Sequence, residues 1–180
     1  MRIETIQALR ESQRLGFLGA RPVEQAAEHA ACFATALGSL PDAARLIDLG
    51  SGGGLPGLVL ADLLPRCSIT LVDRRQKRTD FLRRVVRRLG HAHVEVREAD
   101  VGVIASDVQA GVEPPFDAVT ARGFGPAEAT LRLARQLIHE GGAIVISEPP
   151  DAERWDQGLL RELGLEDERV GPVRAFHVKQ

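Results

Sequence analysis

The sequence contains no tyrosine, one tryptophan, one methionine and only two cysteines among its 180 residues. So few aromatic side chains leave little for the basic and aromatic interleaving that many nucleic-acid-binding surfaces use. Cys32 and Cys67 lack metal-ligand spacing, and the five histidines are scattered, so we expect two buried free thiols and no metal site.

Long apolar runs are also missing. No stretch approaches the roughly 20 residues of a membrane-spanning helix, and the first residues lack the apolar core of a signal peptide. We therefore expect a cytoplasmic protein with no membrane partner. Hydrophobic residues make up 44% and charged residues 27%, which excludes disorder and predicts one globular domain over residues 1–180. Within it we expect an N-terminal helical cover, residues 1–44, and a ligand-binding core, residues 45–180.

Lysine is nearly absent, since only two of the 23 basic residues are lysine, and the net charge is -2. Arginine offers a planar fork suited to phosphate and guanine, although codon bias explains the same ratio. One predicted helix concentrates eight basic residues against the single acid Asp80. They are Arg74, Arg75, Lys77, Arg78, Arg83, Arg84, Arg87 and Arg88. The cluster indicates a phosphate-binding surface or, alternatively, a solvated helix face.

Strands and helices alternate after residue 45, which predicts an α/β fold with a doubly wound, mostly parallel sheet. Two helices, 3–14 and 22–37, are expected to cover this sheet. The predicted strands are 45–49, 67–73, 94–97, 116–120, 143–147 and a final pair at 164–165 and 173–178. The predicted helices of the core are 55–64, 76–89, 126–139 and 152–163, the third of them ended by Gly141 and Gly142.

The segment 46–57, Leu-Ile-Asp-Leu-Gly-Ser-Gly-Gly-Gly-Leu-Pro-Gly, joins the first strand to the next helix. Its glycines permit a tight turn and close approach of a ligand to the backbone. Two cofactor patterns compete. The dinucleotide fingerprint fits Gly52, Gly54 and Gly57, but two residues late. The pattern apolar-apolar-Asp-apolar-Gly-x-Gly-x-Gly fits from Ile47 without slippage and resembles the first motif of class I methyltransferases that bind S-adenosylmethionine.

Acidic residues follow the next two strands. Asp73 ends the second strand, where its carboxylate can accept both ribose hydroxyls of a nucleoside, or can cap the following helix. Asp100 follows the third strand and is expected to frame an adenine together with the backbone of Ala99 to Val101. Its alternative role is to cap a short helix.

Several stretches resemble one methyltransferase family more closely. Residues 48–57, with their Leu-Pro-Gly ending, and 116–124, Phe-Asp-Ala-Val-Thr-Ala-Arg-Gly-Phe, are similar to the RsmG/GidB family, which methylates guanine N7 in small-subunit ribosomal RNA. Lys77-Arg78 before Phe81-Leu82, and 16–21 followed by His29, add to a resemblance that spans about residues 16–148. It implies a seven-stranded Rossmann-like methyltransferase sheet, S-adenosyl-L-methionine as cofactor, and ribosomal RNA or the small ribosomal subunit as partner.

The resemblance also implies a set of site residues. Arg122 is expected beside the acceptor as the catalytic residue, with an ion pair to Asp48 or Glu148 as its alternative role. Guanine N7 has a lone pair and no proton, so no general base is required, and alignment alone can supply on the order of 7–11 kcal/mol. The expected cofactor-binding residues are Asp48, Gly50, Ser51, Gly52, Gly54, Leu55, Asp73, Arg74, Ala99, Asp100, Val101 and Ala121. The expected substrate-binding residues are Arg122, Phe124, His29, Lys77 and Arg78.

The chain departs from the family at three basic positions. The family's Arg-His is Glu28-His29 here, its arginine after the third strand aligns with Asp100, and its Lys-Gly after the fifth strand is Glu148-Pro149. These changes motivate two alternatives: a methyltransferase of a small molecule or peptide on the same fold, and a nucleoside-binding paralogue without catalysis.

Overall fold

The computed structural model of the chain describes residues 1–149 and 154–178. Seven helices and seven strands form these parts of the chain. The helices are α1 (Ile3–Arg14), α2 (Val23–Leu37), α3 (Gly57–Leu63), α4 (Gln76–Leu89), α5 (Val101–Gln109), α6 (Ala127–Leu137) and α7 (Gln157–Leu163). The strands are β1 (Arg45–Leu49), β2 (Ser68–Asp73), β3 (Val94–Glu98), β4 (Phe116–Ala121), β5 (Ile138–Ser147), β6 (Leu165–Val170) and β7 (Val173–Val178).

The strands form one sheet in the order β3-β2-β1-β4-β5-β7-β6. Strands β1 to β5 pair in parallel, whereas β7 runs antiparallel to both β5 and β6. This confirms the predicted doubly wound, mostly parallel, seven-stranded sheet. The order reverses between β1 and β4, and open sheets of this kind bind ligands in the crevice outside the strand ends at that point.

The central strands β1, β2 and β4 are buried on both faces, which explains why they are mostly apolar, whereas the outer strands β3 and β6 carry charged, partly exposed residues. Successive residues of β1 point to opposite faces: Leu46 belongs to a core cluster that includes α1 to α4, and Ile47 to one that includes α5 to α7. Asp48 shares the face of Leu46, beneath the glycine-rich segment, and is fully buried.

The two N-terminal helices are built into the first of these clusters. Ala8 and Leu9 of α1 and Phe33 of α2 are fully buried there. The Ser12 hydroxyl of α1 donates a hydrogen bond to the Gly53 carbonyl at 2.8 Å. A Cβ atom at Gly53 would lie 2.5 Å from the Ser12 Oγ, so only glycine permits this contact. The expected cover is therefore in direct contact with the glycine-rich segment.

Several predicted elements differ from the structure, among them the first strand of the final pair, which extends over Leu165–Val170 and not only over 164–165. The fifth strand begins at Ile138 and not at 143, so Gly141 and Gly142 lie inside β5 instead of capping α6. The register with β4 shifts there, and His139 Nε2 reaches the Asp117 carboxylate at 3.0 Å. Glycines are common in β-bulges of this kind, and two glycines after a helical segment also match the pattern of a helix cap, which is why the prediction was wrong.

The sequence patterns do not predict helix α5 as an element. They do offer Asp100 as a helix cap, and the Asp100 carboxylate accepts a hydrogen bond from the Gly102 amide at 2.8 Å. Helix α7 begins at Gln157, later than the predicted start at 152, which lies outside the described residues. Cys67 is buried as expected, whereas Cys32 is only half-buried.

Candidate functional site

The glycine-rich segment follows β1 with a backbone conformation that residues other than glycine rarely adopt. Gly50, Gly52 and Gly54 have φ angles of +63°, +53° and +101°. The Ser51 amide donates to the Val72 carbonyl at 2.8 Å, which fixes the turn to the end of β2. A Cβ atom at Gly57 would lie 2.3 Å from Leu71, so α3 starts in close contact with the sheet.

Asp48 lies beneath this segment and lines none of the three cavities at this edge of the sheet. The Thr120 hydroxyl donates to Asp48 Oδ1 at 2.8 Å, and Oδ2 has no hydrogen-bond partner. Burial raises the pKa of this carboxyl to about 6, against the opposing effect of the hydrogen bond from Thr120. The structure thus places Asp48 as a buried support.

A cavity of about 380 Å³ opens at the ends of β1 to β4, and we call it the Asp73 cavity. Six of the twelve predicted cofactor residues line it: Gly50, Asp73, Arg74, Ala99, Asp100 and Val101. Arg75, Arg78, Val72, Gly123 and Phe124 complete its wall. The ends of three neighbouring strands therefore bring these predicted residues to one place.

Asp73 accepts hydrogen bonds from two backbone amides, and no side chain of the described residues caps α4, so the alternative capping role of Asp73 is wrong. Its Oδ2 accepts a hydrogen bond from the Gly52 amide at 3.0 Å, and its Oδ1 accepts one from the Arg75 amide at 2.9 Å, next to the start of α4. Arg78 Nη1 lies 3.4 Å from Oδ2. Each carboxylate oxygen can accept more than one hydrogen bond. Asp73 thus holds the glycine-rich segment and the start of α4 while it lines the cavity.

A second cavity of about 250 Å³, the cover cavity, lies between the N-terminal helices and the glycine-rich segment. Ser51, Gly52 and Leu55 line it, as do Arg21, Arg78 and Arg122, and its lining contains no aspartate or glutamate. Gly54 lines neither cavity, because it faces Leu58.

Arg122 forms no hydrogen bond or ion pair with residues 1–149 or 154–178, so the predicted ion pair is absent there. Partial burial lowers the pKa of its guanidinium, as does the charge of Arg21, while Asp48 opposes both. Glu148 is already engaged, since its Oε1 accepts hydrogen bonds from Arg154 Nε at 3.0 Å and Trp155 Nε1 at 2.8 Å.

Phe124 stands between the Asp73 cavity and a third cavity of about 220 Å³, which we call the α6 cavity. Its ring is 36% exposed and lies against Gly50, where a Cβ atom would be only 2.7 Å away. Ala121, a predicted cofactor residue, lines the α6 cavity.

Two predicted substrate residues lie apart from these cavities. His29 Nε2 lies 3.3 Å from the Pro172 carbonyl oxygen, and its ring packs edge-on against Phe33. Partial burial and the charges of Arg122 and Arg21 lower the pKa of His29. Lys77 is exposed on the first turn of α4 and lines only a shallow surface depression beside Gly16.

Sequence reasoning did not assign Arg21 and Gly123 to the site. Gly123 lines all three cavities, and the turn between α1 and α2 brings Arg21 opposite Arg122. The sequence pointed to these two residues only because they lie within segments 16–21 and 116–124, which resemble the family. Residues 1–149 and 154–178 contain no group of three potential metal ligands and no helix that could cross a membrane.

Comparisons with known proteins point to one family. The model of GidB, rRNA small subunit methyltransferase G, matches residues 11–153. Ribosomal RNA small subunit methyltransferase G of Leptothrix cholodnii is 39% identical over 138 residues, covering 76% of this chain and 55% of that protein. The Ralstonia nicotianae protein of the same name is 38% identical over 115 residues, covering 63% and 49%. The chain thus spans about half the length of these relatives.

The fold has a similar solved counterpart. A putative O-methyltransferase from Klebsiella pneumoniae superimposes with a TM-score of 0.68 at 17% sequence identity, covering 100% of this chain and 91% of the other. At that identity the likeness supports the fold alone. With the match over residues 11–153, the expected family is confirmed: the chain belongs to the GidB, or rRNA small subunit methyltransferase G, family.

Proposed function

We propose that the chain is an S-adenosyl-L-methionine-dependent methyltransferase that methylates guanine N7 in small-subunit ribosomal RNA. Its partner would be ribosomal RNA or the small ribosomal subunit, in the cytoplasm, and residues 1–180 would act as one domain. The observation that carries the proposal is the juxtaposition of the Asp73 cavity with the arginine-lined cover cavity at the point where the strand order reverses.

The residues of the Asp73 cavity fit a nucleoside cofactor. Gly50 and the Asp73 carboxylate both line this cavity, and the Phe124 ring packs against Gly50 at its edge. Asp73 would accept hydrogen bonds from ribose hydroxyls, and the backbone of Ala99 to Val101 would border the adenine. When bound, S-adenosyl-L-methionine supplies an electrophilic methyl group on a sulfonium.

The cover cavity favours an anionic acceptor. Arg21, Arg78 and Arg122 line it and no aspartate or glutamate of the described residues does, which suits the phosphates and acceptor atoms of RNA, although Arg78 also pairs with Asp73. The substitution to Glu148 does not reverse this charge, because the Glu148 side chain is buried against Arg154 and Trp155. Asp100 likewise caps α5. A neutral small acceptor would leave the side chains of Arg21 and Arg122 without a charged partner among the described residues.

Arg122 would orient the acceptor. It is half-buried at the end of β4, carries a charge with no ion-pair partner among the described residues, and opens on the cover cavity. Because guanine N7 carries no proton, the chain has to position and desolvate the base, and no side chain has to remove a proton.

Radiolabelled methyl transfer tests the function directly. Unmethylated small ribosomal subunits and free RNA are offered with labelled S-adenosyl-L-methionine, and the methylated base is identified in a nuclease digest. We expect label in N7-methylguanine. Label in a small molecule or peptide alone would support the alternative acceptor, and cofactor binding without transfer would support the non-catalytic paralogue. Binding of NAD in place of S-adenosyl-L-methionine would refute both methyltransferase assignments.

A further inference from the structure

The α6 cavity, on the far side of Phe124 from the Asp73 cavity, has no role in the function proposed above. It lies between the ends of β4 and β5 and the start of α6. Its polar lining consists of Thr130, Ser147 and Arg154, and no aspartate or glutamate among the described residues borders it. Arg154 already donates to the Glu148 carboxylate and to the Ser147 carbonyl, so the hydroxyls of Thr130 and Ser147 are the side-chain groups left to bind a ligand.

Helix α6 opens on this cavity with its positive end. The helix has eleven residues and follows Pro126, and no side chain caps its first turn. The first amides of a helix have no partner within it and carry the positive end of the helix dipole. Ala127, the first residue of α6, lines the cavity.

A second observation concerns the Thr130 hydroxyl. Thr130 is 3% exposed and lines the α6 cavity, yet its Oγ1 has no hydrogen-bond partner among residues 1–149 and 154–178. Thr79, equally buried in α4, donates to the Gln76 carbonyl at 3.0 Å. A buried hydroxyl without a partner is costly, so such a group points to a ligand that completes it.

We propose that the α6 cavity binds a phosphate group of the RNA acceptor strand. This rests on the proposed RNA substrate. The Thr130 hydroxyl and the first amides of α6 would donate hydrogen bonds to phosphate oxygens, as helix N-termini do in many phosphate sites. Gly123 borders all three cavities, so a phosphate here would lie next to a nucleotide that enters the cover cavity.

Two matched variants test the site. Ala127→Asp places a carboxylate in the cavity, and Ala129→Asp places one on the exposed side of the same helical turn. Both add one negative charge to the first turn of α6, where acidic residues stabilise a helix, so both should fold. Calorimetry at constant ionic strength measures the affinity for inorganic phosphate and then for unmethylated small-subunit ribosomal RNA.

We expect Ala127→Asp to bind both ligands at least about ten-fold more weakly than Ala129→Asp, by a loss of roughly 1.4 kcal/mol or more. Thr130→Val should weaken phosphate binding, and Thr130→Ser should restore it. Equal phosphate affinity in the two aspartate variants overturns the site. Loss of phosphate binding with unchanged RNA affinity overturns its assignment to RNA. The phosphate titration requires no methyl transfer. A protein that binds phosphate here but transfers no methyl group would therefore contradict the proposed function and not this site.

Discussion

The Asp73 carboxylate joins backbone amides of two elements, Gly52 of the glycine-rich segment and Arg75 ahead of α4. Its removal should therefore affect the ligand and the shape of the cavity together. Asp80 offers a comparison, because it lies on the exposed side of α4 and pairs only with Arg83.

We expect Asp73→Ala to weaken S-adenosyl-L-methionine binding by about 1.5–3 kcal/mol, the range for hydrogen bonds to a charged group. Asp80→Ala removes the same charge from outside the cavity and should leave the affinity unchanged. Calorimetric titration measures both, and denaturant unfolding of each variant measures the accompanying change in stability. Wild-type affinity in a folded Asp73→Ala protein would contradict the assignment of this pocket.

Asp48 gives a prediction about pH. Its pKa rises from an ordinary 3.8 to about 6 in the folded chain, so between these values the folded state binds the extra proton. The stability contributed by this group therefore falls as pH rises from about 4 to 6, and the cost is complete above that range. A shift of about two units corresponds to about 3 kcal/mol.

The isosteric variant Asp48→Asn does not titrate and can still accept the Thr120 hydrogen bond. Relative to the wild type, the free energy of unfolding of this variant should increase by roughly 2.5 kcal/mol between pH 4 and pH 7.5, because a small part of the cost is already present at pH 4. Urea unfolding at both pH values measures this difference, in which the titrations of all other groups cancel. A difference that does not change with pH would show that the buried carboxyl carries no such cost.

Asp73 and the three turn glycines could be predicted because a tight turn and an acidic residue at a strand end are both visible in a short stretch of sequence. The contact between Asp48 and Thr120 depends on the register of β1 against β4, in which these two residues are paired. Arg21 reaches the cover cavity only because α1 and α2 pack on the sheet. These contacts join residues that are far apart in the sequence, so no local sequence pattern predicts them.

At the scale of elements, α4 has basic residues with different surroundings: Arg78 pairs with Asp73, Arg83 pairs with Asp80, and the remaining four form two groups. Arg84 and Arg88 contact Glu11 of α1 at 2.6 and 3.0 Å, so they help to attach the cover. These residues also hold the pKa of Glu11 below its usual value, although burial opposes them. Lys77 and Arg87 are exposed and form no ion pair with the described residues. A sequence pattern cannot separate the two groups, because the position of α1 distinguishes them.

Two double variants with equal charge loss test this division. In Lys77→Gln/Arg87→Gln, RNA affinity should fall and the logarithmic salt dependence should flatten by about 1.4, since each phosphate contact contributes about 0.7 on a single strand. Arg84→Gln/Arg88→Gln should change the salt dependence less and destabilise the fold by at most about 1 kcal/mol. Filter binding across salt concentrations measures the slopes. Equal slopes in both variants would mean that α4 is a solvated face.

At the scale of the whole molecule, the sheet joins the cover to the rest of the chain. The two core clusters meet at β1, where Leu46 and Ile47 are fully buried on opposite faces. The doubly wound, mostly parallel fold could be predicted because the alternation of elements limits the connections. The tie between α1 and Gly53 could not, because it joins residues 41 positions apart.

This arrangement predicts a single cooperative unfolding transition over residues 1–180, which two local probes can test. Cys32 lies in α2, in the cover, and the variant Cys67→Ser leaves it as the only thiol. Trp155, the only tryptophan, is buried in the opposite cluster with its ring 4.7 Å from Phe176. In denaturant, thiol reactivity of Cys32 and fluorescence of Trp155 should change with the same midpoint and slope, because both faces share the strands between them. Exposure of Cys32 at a lower denaturant concentration would mean that residues 1–44 open separately and that the cover cavity can form and dissolve while the sheet stays folded.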